Sequence, residues 1–535
     1  MSPIRRFRPE DIGVELFPAL TRGLYRDPLD ALREYIQNAI DAKADRVDIT
    51  LTRDVVSVND NGAGMTPEQA QAAIRLGISD KNPVDHVGFR GIGIYSSFDL
   101  CERLEIHTRP AKGHPSLIVV DFRTIRALLA DEEQRRRRRE PPQLHLELML
   151  SQAVRVEEDQ QSPVLDTGTL VLMREVRGGF YKKLNDIGQV RTYLQAVIPL
   201  PFDDDFRFAK PIGREFRKED YRVVSVTLTA GGREVAIYRP YHNAMFAHGG
   251  QYEPRFYDVT SPETGERYGF AWVCINDARK VFDDRELRGL LIKKKGFSVA
   301  DRGYLEPIFG RTVVSRRVTG EVIVEHSDLI PNASRSDFES NGARADFQVA
   351  LLELTRKVSE WVDEVQQKLK AFEQLDEVSP RVFEIHSQIP SFRQDTQRLL
   401  DFNVELSQLK RPLDVHSKVL ESERPRELKK ALAVIAEAEA MLRDMLSRKP
   451  KKTPGNLTAK AVRRGKDAPT EEETAHRKDR PKTVMEVLTS LDLVMTEPLK
   501  LAIAYIDENL LRPYVPGDQY AAEMEALREY LEEKI

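Results

Sequence analysis

Glu34-Tyr35-Ile36-Gln37-Asn38-Ala39-Ile40-Asp41-Ala42 is the stretch on which the reading of the fold turns. Glu34, Asn38 and Asp41 stand four and three residues apart, so on a helix they share one face. Leu32, Tyr35, Ile36, Ala39 and Ile40 recur beside it at helical spacing and supply a stripe for burial. The pattern predicts a helix with Asp27 as N-cap and Pro28 first inside, running to about Lys43. Its polar face carries two carboxylates and an amide. Such a set can supply a base that activates water and an oxygen ligand for Mg²⁺. An ordinary solvated helix face looks the same, so the neighbouring motifs decide.

Val47, Ile49 and Leu51 alternate, followed by Val56 and Val58, which predicts two short strands in a hairpin. The second strand ends in Asp60-Asn61-Gly62-Ala63-Gly64-Met65, and Thr66-Pro67-Glu68 opens another helix. Asp60 there can accept a hydrogen bond from the exocyclic amine of adenine, with the glycines letting backbone approach the base. The same letters also write a plain turn. Gly88-Phe89-Arg90-Gly91-Ile92-Gly93-Ile94-Tyr95-Ser96-Ser97-Phe98 sets glycines ahead of an apolar helix, whose free N–H groups would cradle phosphates. Gly168-Thr169 leads into the strand Leu170-Val171-Leu172, where the Thr169 hydroxyl can support Asp60. No G-x-x-x-x-G-K-[ST] run occurs, which excludes a P-loop, and no G-x-G-x-x-G follows a strand.

The bulk composition narrows the classes further. At 535 residues the chain exceeds one hydrophobic core, and length alone suggests roughly three or four domains. With 41% hydrophobic and 31% charged residues it reads as globular with exposed helices, not disordered. A net charge of −4 argues against a polycation, so any affinity for nucleic acid must be local. Cys101 and Cys274 are too few for a disulfide framework or a zinc site. No apolar run reaches membrane-spanning length, and Met1–Arg8 is basic without an apolar core behind it. The expected location is therefore cytoplasmic, with no membrane partner.

Strand-like runs alternate with helices to about Pro201, and Arg135–Arg139 before Pro141-Pro142 reads as an exposed loop. The fold class is α/β throughout this part, with a first domain over 1–205. A second α/β domain follows over 206–345, with strands at Val224-Ser225-Val226-Thr227-Leu228 and Glu321-Val322-Ile323-Val324. Beyond Ala345 an all-α region runs to 447. There Phe347, Leu351, Leu354, Val358, Trp361 and Val365 write the seam of a helix packed on another helix. Pro380, Pro390, Pro412 and Pro425 punctuate further helices. Residues 448–482 are a basic flexible linker by composition, and 483–535 a last helical segment with Leu488, Leu491, Val494 and Leu501.

The order of the four motifs resembles the GHKL superfamily of Bergerat-fold ATPases, over about Leu24 to Glu175. The resemblance implies ATP and Mg²⁺ as ligands and an α+β sandwich for the first domain. Glu34 would then be the general base, Asn38 the Mg²⁺ ligand, and Asp60 the adenine acceptor. Gly88, Gly91 and Gly93 would hold the triphosphate and Thr169 the Asp60 side of the base pocket. Asp41, Gly62, Gly64 and Met65 would line the pocket. Gln69–Asp85 would form a lid, short for its task, with Lys81 on phosphate.

About thirty residues precede the first motif, which speaks against a sensor histidine kinase. Gly88-Phe89-Arg90-Gly91 is similar to mismatch-repair MutL. Gly91-Ile92-Gly93-Ile94-Tyr95-Ser96, Leu32–Asn38 and Lys294-Lys295-Gly296-Phe297-Ser298-Val299 look more like heat shock protein 90 chaperones. So does His326-Ser327-Asp328-Leu329-Ile330-Pro331-Asn332-Ala333-Ser334-Arg335, in which Arg335 would reach the γ-phosphate and Asn332 shape the loop. The expectation is a dimeric ATPase clamp acting on protein clients or a dedicated partner. The alternatives are a DNA-associated clamp of MutL or MORC type and a nucleotide switch without turnover. Basic Arg135–Arg139 and 448–482 motivate the DNA reading.

Overall fold

The alternation at Val47–Leu51 and Val56–Val58 does form a hairpin, β1 (Arg46–Leu51) against β2 (Val55–Asp60), with Val47 opposite Asp60. The computed structural model describes residues 7–447 except 26, 84, 85, 165, 185, 219–221, 247–251 and 277–278. Six more strands complete the first sheet: β3 (Cys101–Arg109), β4 (Ser116–Asp121), β5 (Val154–Glu158), β6 (Gly168–Val176), β7 (Ser225–Ala230) and β8 (Arg233–Ile237). Their order is β5-β4-β3-β6-β2-β1-β7-β8. Only the β1–β7 pair is parallel. The run Val224–Leu228, expected in the second domain, thus lies beside β1 in the first sheet. Alternation identifies a strand but not its partner, and β7 pairs with a strand some 180 positions earlier.

Seven helices accompany this sheet: α1 (Leu16–Leu24), α2 (Asp30–Asp41), α3 (Pro67–Ala73), α4 (Phe122–Arg137), α5 (Leu146–Ala153), α6 (Gly178–Leu184) and α7 (Ile187–Val197). Leu32 and Ile36 of α2, Phe17 of α1 and Leu194 of α7 join Val47, Ile49, Val56 and Val58 in one core. Full removal of such side chains from water is worth about 1.5–3 kcal/mol each, which fixes the face that α2 buries and leaves Glu34, Asn38 and Asp41 outside the core. The α2 start differs from expectation. Asp27 accepts the Leu29 N–H at 2.9 Å, capping a turn ahead of the helix, which begins at Asp30. Thr66 does cap α3, through a capping box with Gln69.

Arg135–Arg137 end α4 instead of forming a loop. Arg135 pairs with Asp131 and Glu140, Arg136 with Glu15, and Arg137 with Glu133. Carboxylates four residues earlier favour this helical ending.

The second sheet contains β9 (Arg255–Thr260), β10 (Arg267–Ile275), β11 (Gly289–Lys294), β12 (Phe297–Ser298) and β13 (Val318–Val324), ordered β12-β11-β13-β10-β9. Its strands β10, β11 and β13 are buried almost end to end because both faces are covered, while the edge strand β9 is largely exposed. Ala271, Val273 and Ile275 point into one core, while Phe270, Trp272 and Cys274 point into another beneath α8 (Ala209–Lys218). At the junction with the first domain sits a buried ionic cluster. Glu321 accepts from Arg239 and from the Tyr241 hydroxyl, with Lys293 Nζ 3.7 Å away. Arg239 also donates to the Leu200 carbonyl and Lys293 to that of Ile198. Burial raises the Glu321 carboxyl, yet Arg239, Lys293 and Arg302 together hold it below the usual carboxylate range.

A short α9 (Thr312–Ser315) precedes α10 (Gly342–Gln388), and α11 (Thr396–Val415), α12 (Ser417–Glu423) and α13 (Pro425–Ser447) complete the described helices. The seam Phe347–Val365 is buried as expected, but against the second sheet and not another helix. Threes and fours define a helix face without specifying what covers it. Pro380 and Pro412 lie inside α10 and α11; buried Val378, Val382 and Ile385 carry α10 past the missing N–H. Leu428, Ala431, Ile435, Ala438 and Leu442 of α13 are buried with α10 and α11, so that stripe is satisfied within the chain. The proposed linker and Leu488, Leu491, Val494 and Leu501 fall outside the described residues. Among the described residues no helix is long and apolar enough to cross a membrane.

Candidate active site

A cavity of about 560 Å³ opens beside α2, and the motifs singled out above line it. Glu34, Asn38 and Asp41 project from α2; Asp60, Gly64 and Met65 come from the end of β2; Gly88, Gly91 and Gly93 come from the loop; and Thr169 stands at the start of β6. Gly62 lies just behind, where a Cβ would meet Ala42 and the Asp60 carboxylate at 2.9 Å. Gln69, Ala72, Ala73, Arg75 and Ile78–Lys81 contribute a further wall. Asp85, the far end of the expected lid, is outside the described residues.

Asp60 forms the inner end. Its carboxylate accepts the Gly62 N–H at 2.8 Å, and burial pushes its pKa up to about 6 against the pull of the Gly62 and Thr169 N–H groups. Thr169 therefore supports Asp60 through its backbone; its hydroxyl instead lies 3.2 Å from that of Thr108. Thr108 in turn accepts the Met65 N–H. Gly64 has φ +66, and a Cβ there would fall 2.1 Å from the Arg109 carbonyl oxygen. No side chain fits that turn, whatever its conformational preference.

Asp41 organises the start of the glycine loop. It accepts the Val87 N–H at 2.8 Å, the Gly88 N–H at 3.0 Å and the Lys81 ammonium at 2.9 Å. Lys81 also reaches the Asn38 oxygen at 3.5 Å. Gly91, at φ +68, passes over Ile78, whose carbonyl oxygen a Cβ would meet at 2.5 Å. The apolar helix expected after the glycines is only a short 3₁₀ turn, Gly93–Tyr95. Three glycines in six residues raise the entropy lost on forming a longer helix. The turn is held from α2, where Tyr35 Oη donates to Ile94 O and contacts Ser97 Oγ.

Glu34 faces the loop: a Cβ on Gly93 would lie 3.0 Å from its Oε2. Arg33, almost fully buried, bridges Glu34 at 3.2 Å and Asp30 at 3.0 Å. Arg335 enters from the second domain. Its Nη2 donates to Gln37 Oε1 at 2.9 Å and Val87 O at 3.2 Å, while its buried Nη1 has no hydrogen-bond partner among the described residues. Burial lowers its pKa to about 10, with Glu34 opposing, so it remains cationic near neutrality. Asn332 holds the loop, its Oδ1 accepting from Ser334 and the Ser336 N–H.

Arg33, Gln37, Arg90, Thr108 and Lys295 had no assigned role in the sequence reading. Gln37 lay within the decisive helix, four and three residues from Arg33 and Ile40, yet only Arg335 reveals its use. Arg90 donates to Glu339 and the Pro331 carbonyl, tying the glycine loop to the Arg335 loop.

The carboxylates of Glu34 and Asp60, a loop of three glycines and the guanidinium of Arg335 thus line one cavity. Residues 26–144 match the family described as Histidine kinase-, DNA gyrase B-, and HSP90-like ATPase. This part of the chain is similar to the ATPase domains of the GHKL type. Its relatives include the DNA mismatch repair protein MutL of Paramagnetospirillum magneticum, 34% identical over 92 residues, or 16% of this chain and 15% of that protein. MutL of Aquifex pyrophilus is 34% identical over 79 residues, 13% and 18% of the two chains. MutL of Rhodospirillum rubrum is 37% identical over 93 residues, 16% and 15%. The chain spans less than a fifth of the length of these curated relatives. These relatives are mismatch-repair proteins, in line with Gly88-Phe89-Arg90-Gly91, and do not support the expected likeness to heat shock protein 90 chaperones around Gly91 and Arg335.

Proposed function

We propose that the protein is an ATP-driven clamp of MutL type that associates with DNA, binding and slowly hydrolysing Mg²⁺-ATP as a homodimer. The observation that carries the ATPase reading is the convergence of Glu34, Asp60, the Gly88–Gly93 loop and Arg335 on one cavity. Asp60 accepts the adenine amine, Gly88, Gly91 and Gly93 receive the phosphates, and Lys81 passes from Asp41 to phosphate oxygen. Mg²⁺ fits the carbonyl oxygen of Asn38, a hard donor that leaves most of its coordination to phosphate and water. When bound it neutralises phosphate charge. Glu34 takes the proton of the attacking water.

The DNA part of the reading is supported by the MutL relatives. Arg135–Arg137 contribute little to it, since acidic neighbours already pair them. Turnover by the full chain should rise with duplex DNA, and the rise should fade with added salt. Sedimentation should give a dimer. Turnover indifferent to DNA at low salt would remove DNA from the proposal while leaving the ATPase intact.

The Asp60 pKa of about 6 makes recognition of the base pH-dependent. Only the ionised carboxylate presents both oxygens as acceptors, so affinity is retained above pH 6 and lost as pH falls through it. Adenosine, which carries no titrating phosphate, should bind about tenfold more weakly per unit below pH 6. Asp60→Asn should bind poorly at every pH. Calorimetry showing constant adenosine affinity from pH 5 to 8 would exclude Asp60 as the acceptor.

A further inference from the structure

Lys294 and Lys295 stand where β11 turns into β12, and their ammonium groups go to different loops. Lys294 donates to the carbonyls of Glu325 at 2.9 Å and His326 at 2.6 Å, at the root of the segment that ends in Arg335. Lys295 donates to the carbonyls of Pro83 at 3.1 Å and His86 at 2.9 Å. The next two residues, Val87 and Gly88, give their N–H groups to Asp41. The stretch His86–Gly88 is therefore gripped from both sides, by a carboxylate of α2 on its donors and by an ammonium of the second sheet on its acceptors. Lys295 has φ +50 and Gly296 φ +82, the pair of left-handed residues that a two-residue hairpin of this twist requires. A lysine carries some strain there, yet its reach places a cation over the two carbonyls.

We propose that Lys295 is a positioning residue for the phosphate end of the pocket. From the hairpin tip it holds His86–Gly88 in the shape that receives a triphosphate, and so makes the nucleotide loop dependent on the second domain. It acts through backbone carbonyls and does not itself touch phosphate. This inference rests on the ATP reading above.

Lys295→Met keeps the apolar stem and the same backbone demand while removing every donor, and Lys295→Arg restores donors. Calorimetry on the full chain with Mg²⁺ should show a nonhydrolysable ATP analogue binding Lys295→Met about tenfold more weakly, the usual worth of a charge-assisted hydrogen bond. ADP should change by less than about twofold, because its contacts centre on Asp60, and Lys295→Arg should recover most of the triphosphate affinity. Equal losses for ADP and the analogue would reveal a merely structural lysine and overturn the inference, as would no loss for either. A wild-type chain that binds neither nucleotide would instead overturn the ATP reading itself, and this inference with it.

Discussion

Replacing Glu34 with alanine should leave ATP bound and lower its turnover by roughly 10²–10⁴-fold, the usual contribution of a positioned general base. The expectation follows from where the carboxylate lies. It faces Gly93 across the cavity, and Arg33 fixes it from behind without covering it. Asp60, at the other end of the pocket, keeps its role in recognition, so affinity and turnover separate. Glu34→Gln, which keeps the shape and loses the basicity, should behave like the alanine variant. Single-turnover hydrolysis measured beside equilibrium binding decides the matter: wild-type turnover in either variant would show that another group takes the proton.

Arg335→Ala should slow hydrolysis by up to ~10³-fold with little change in ADP affinity, since an arginine supplied to the γ-phosphate can be worth that much or more in other NTPases. The buried Nη1, without a hydrogen-bond partner among the described residues, is the structural reason. A desolvated guanidinium donor left unpaired is costly, and a phosphate oxygen would satisfy it. Arg335→Lys should recover only part of the rate, because a point charge cannot reproduce the planar fork. Burial lowers the Arg335 pKa only to about 10, so the loss should be constant across neutral pH. Unchanged kcat in Arg335→Ala would assign the residue to holding Gln37 and Val87 alone.

Much of the pocket was legible because its parts are local. A helix face at Glu34, Asn38 and Asp41, a strand ending at Asp60 and a glycine loop each have a pattern of a few residues. Contacts between distant segments have none. Nothing near Lys295 or Arg90 in sequence announces Pro83, His86 or Glu339 as partners. Thr169 shows the same limit, for its hydroxyl found Thr108 on a neighbouring strand while its backbone served Asp60. Likewise the stripe from Phe347 to Val365 announces an apolar neighbour, and only the order of strands reveals that this neighbour is a sheet. Preference among relatives failed for a related reason. Short glycine loops and a Pro-Asn turn recur wherever phosphate must be approached, so they discriminate poorly between members of one superfamily.

The cluster around Glu321 has a mechanical consequence. Separating a fully desolvated carboxylate from its cations typically costs about 3–5 kcal/mol, far above thermal agitation. Arg239 and Lys293 also clasp the carbonyls of Leu200 and Ile198, where the chain leaves α7. A joint held by these bonds resists bending. In a clamp driven by ATP, such a joint would pass displacements at the nucleotide end to the second sheet and to the 47-residue helix α10 packed on it.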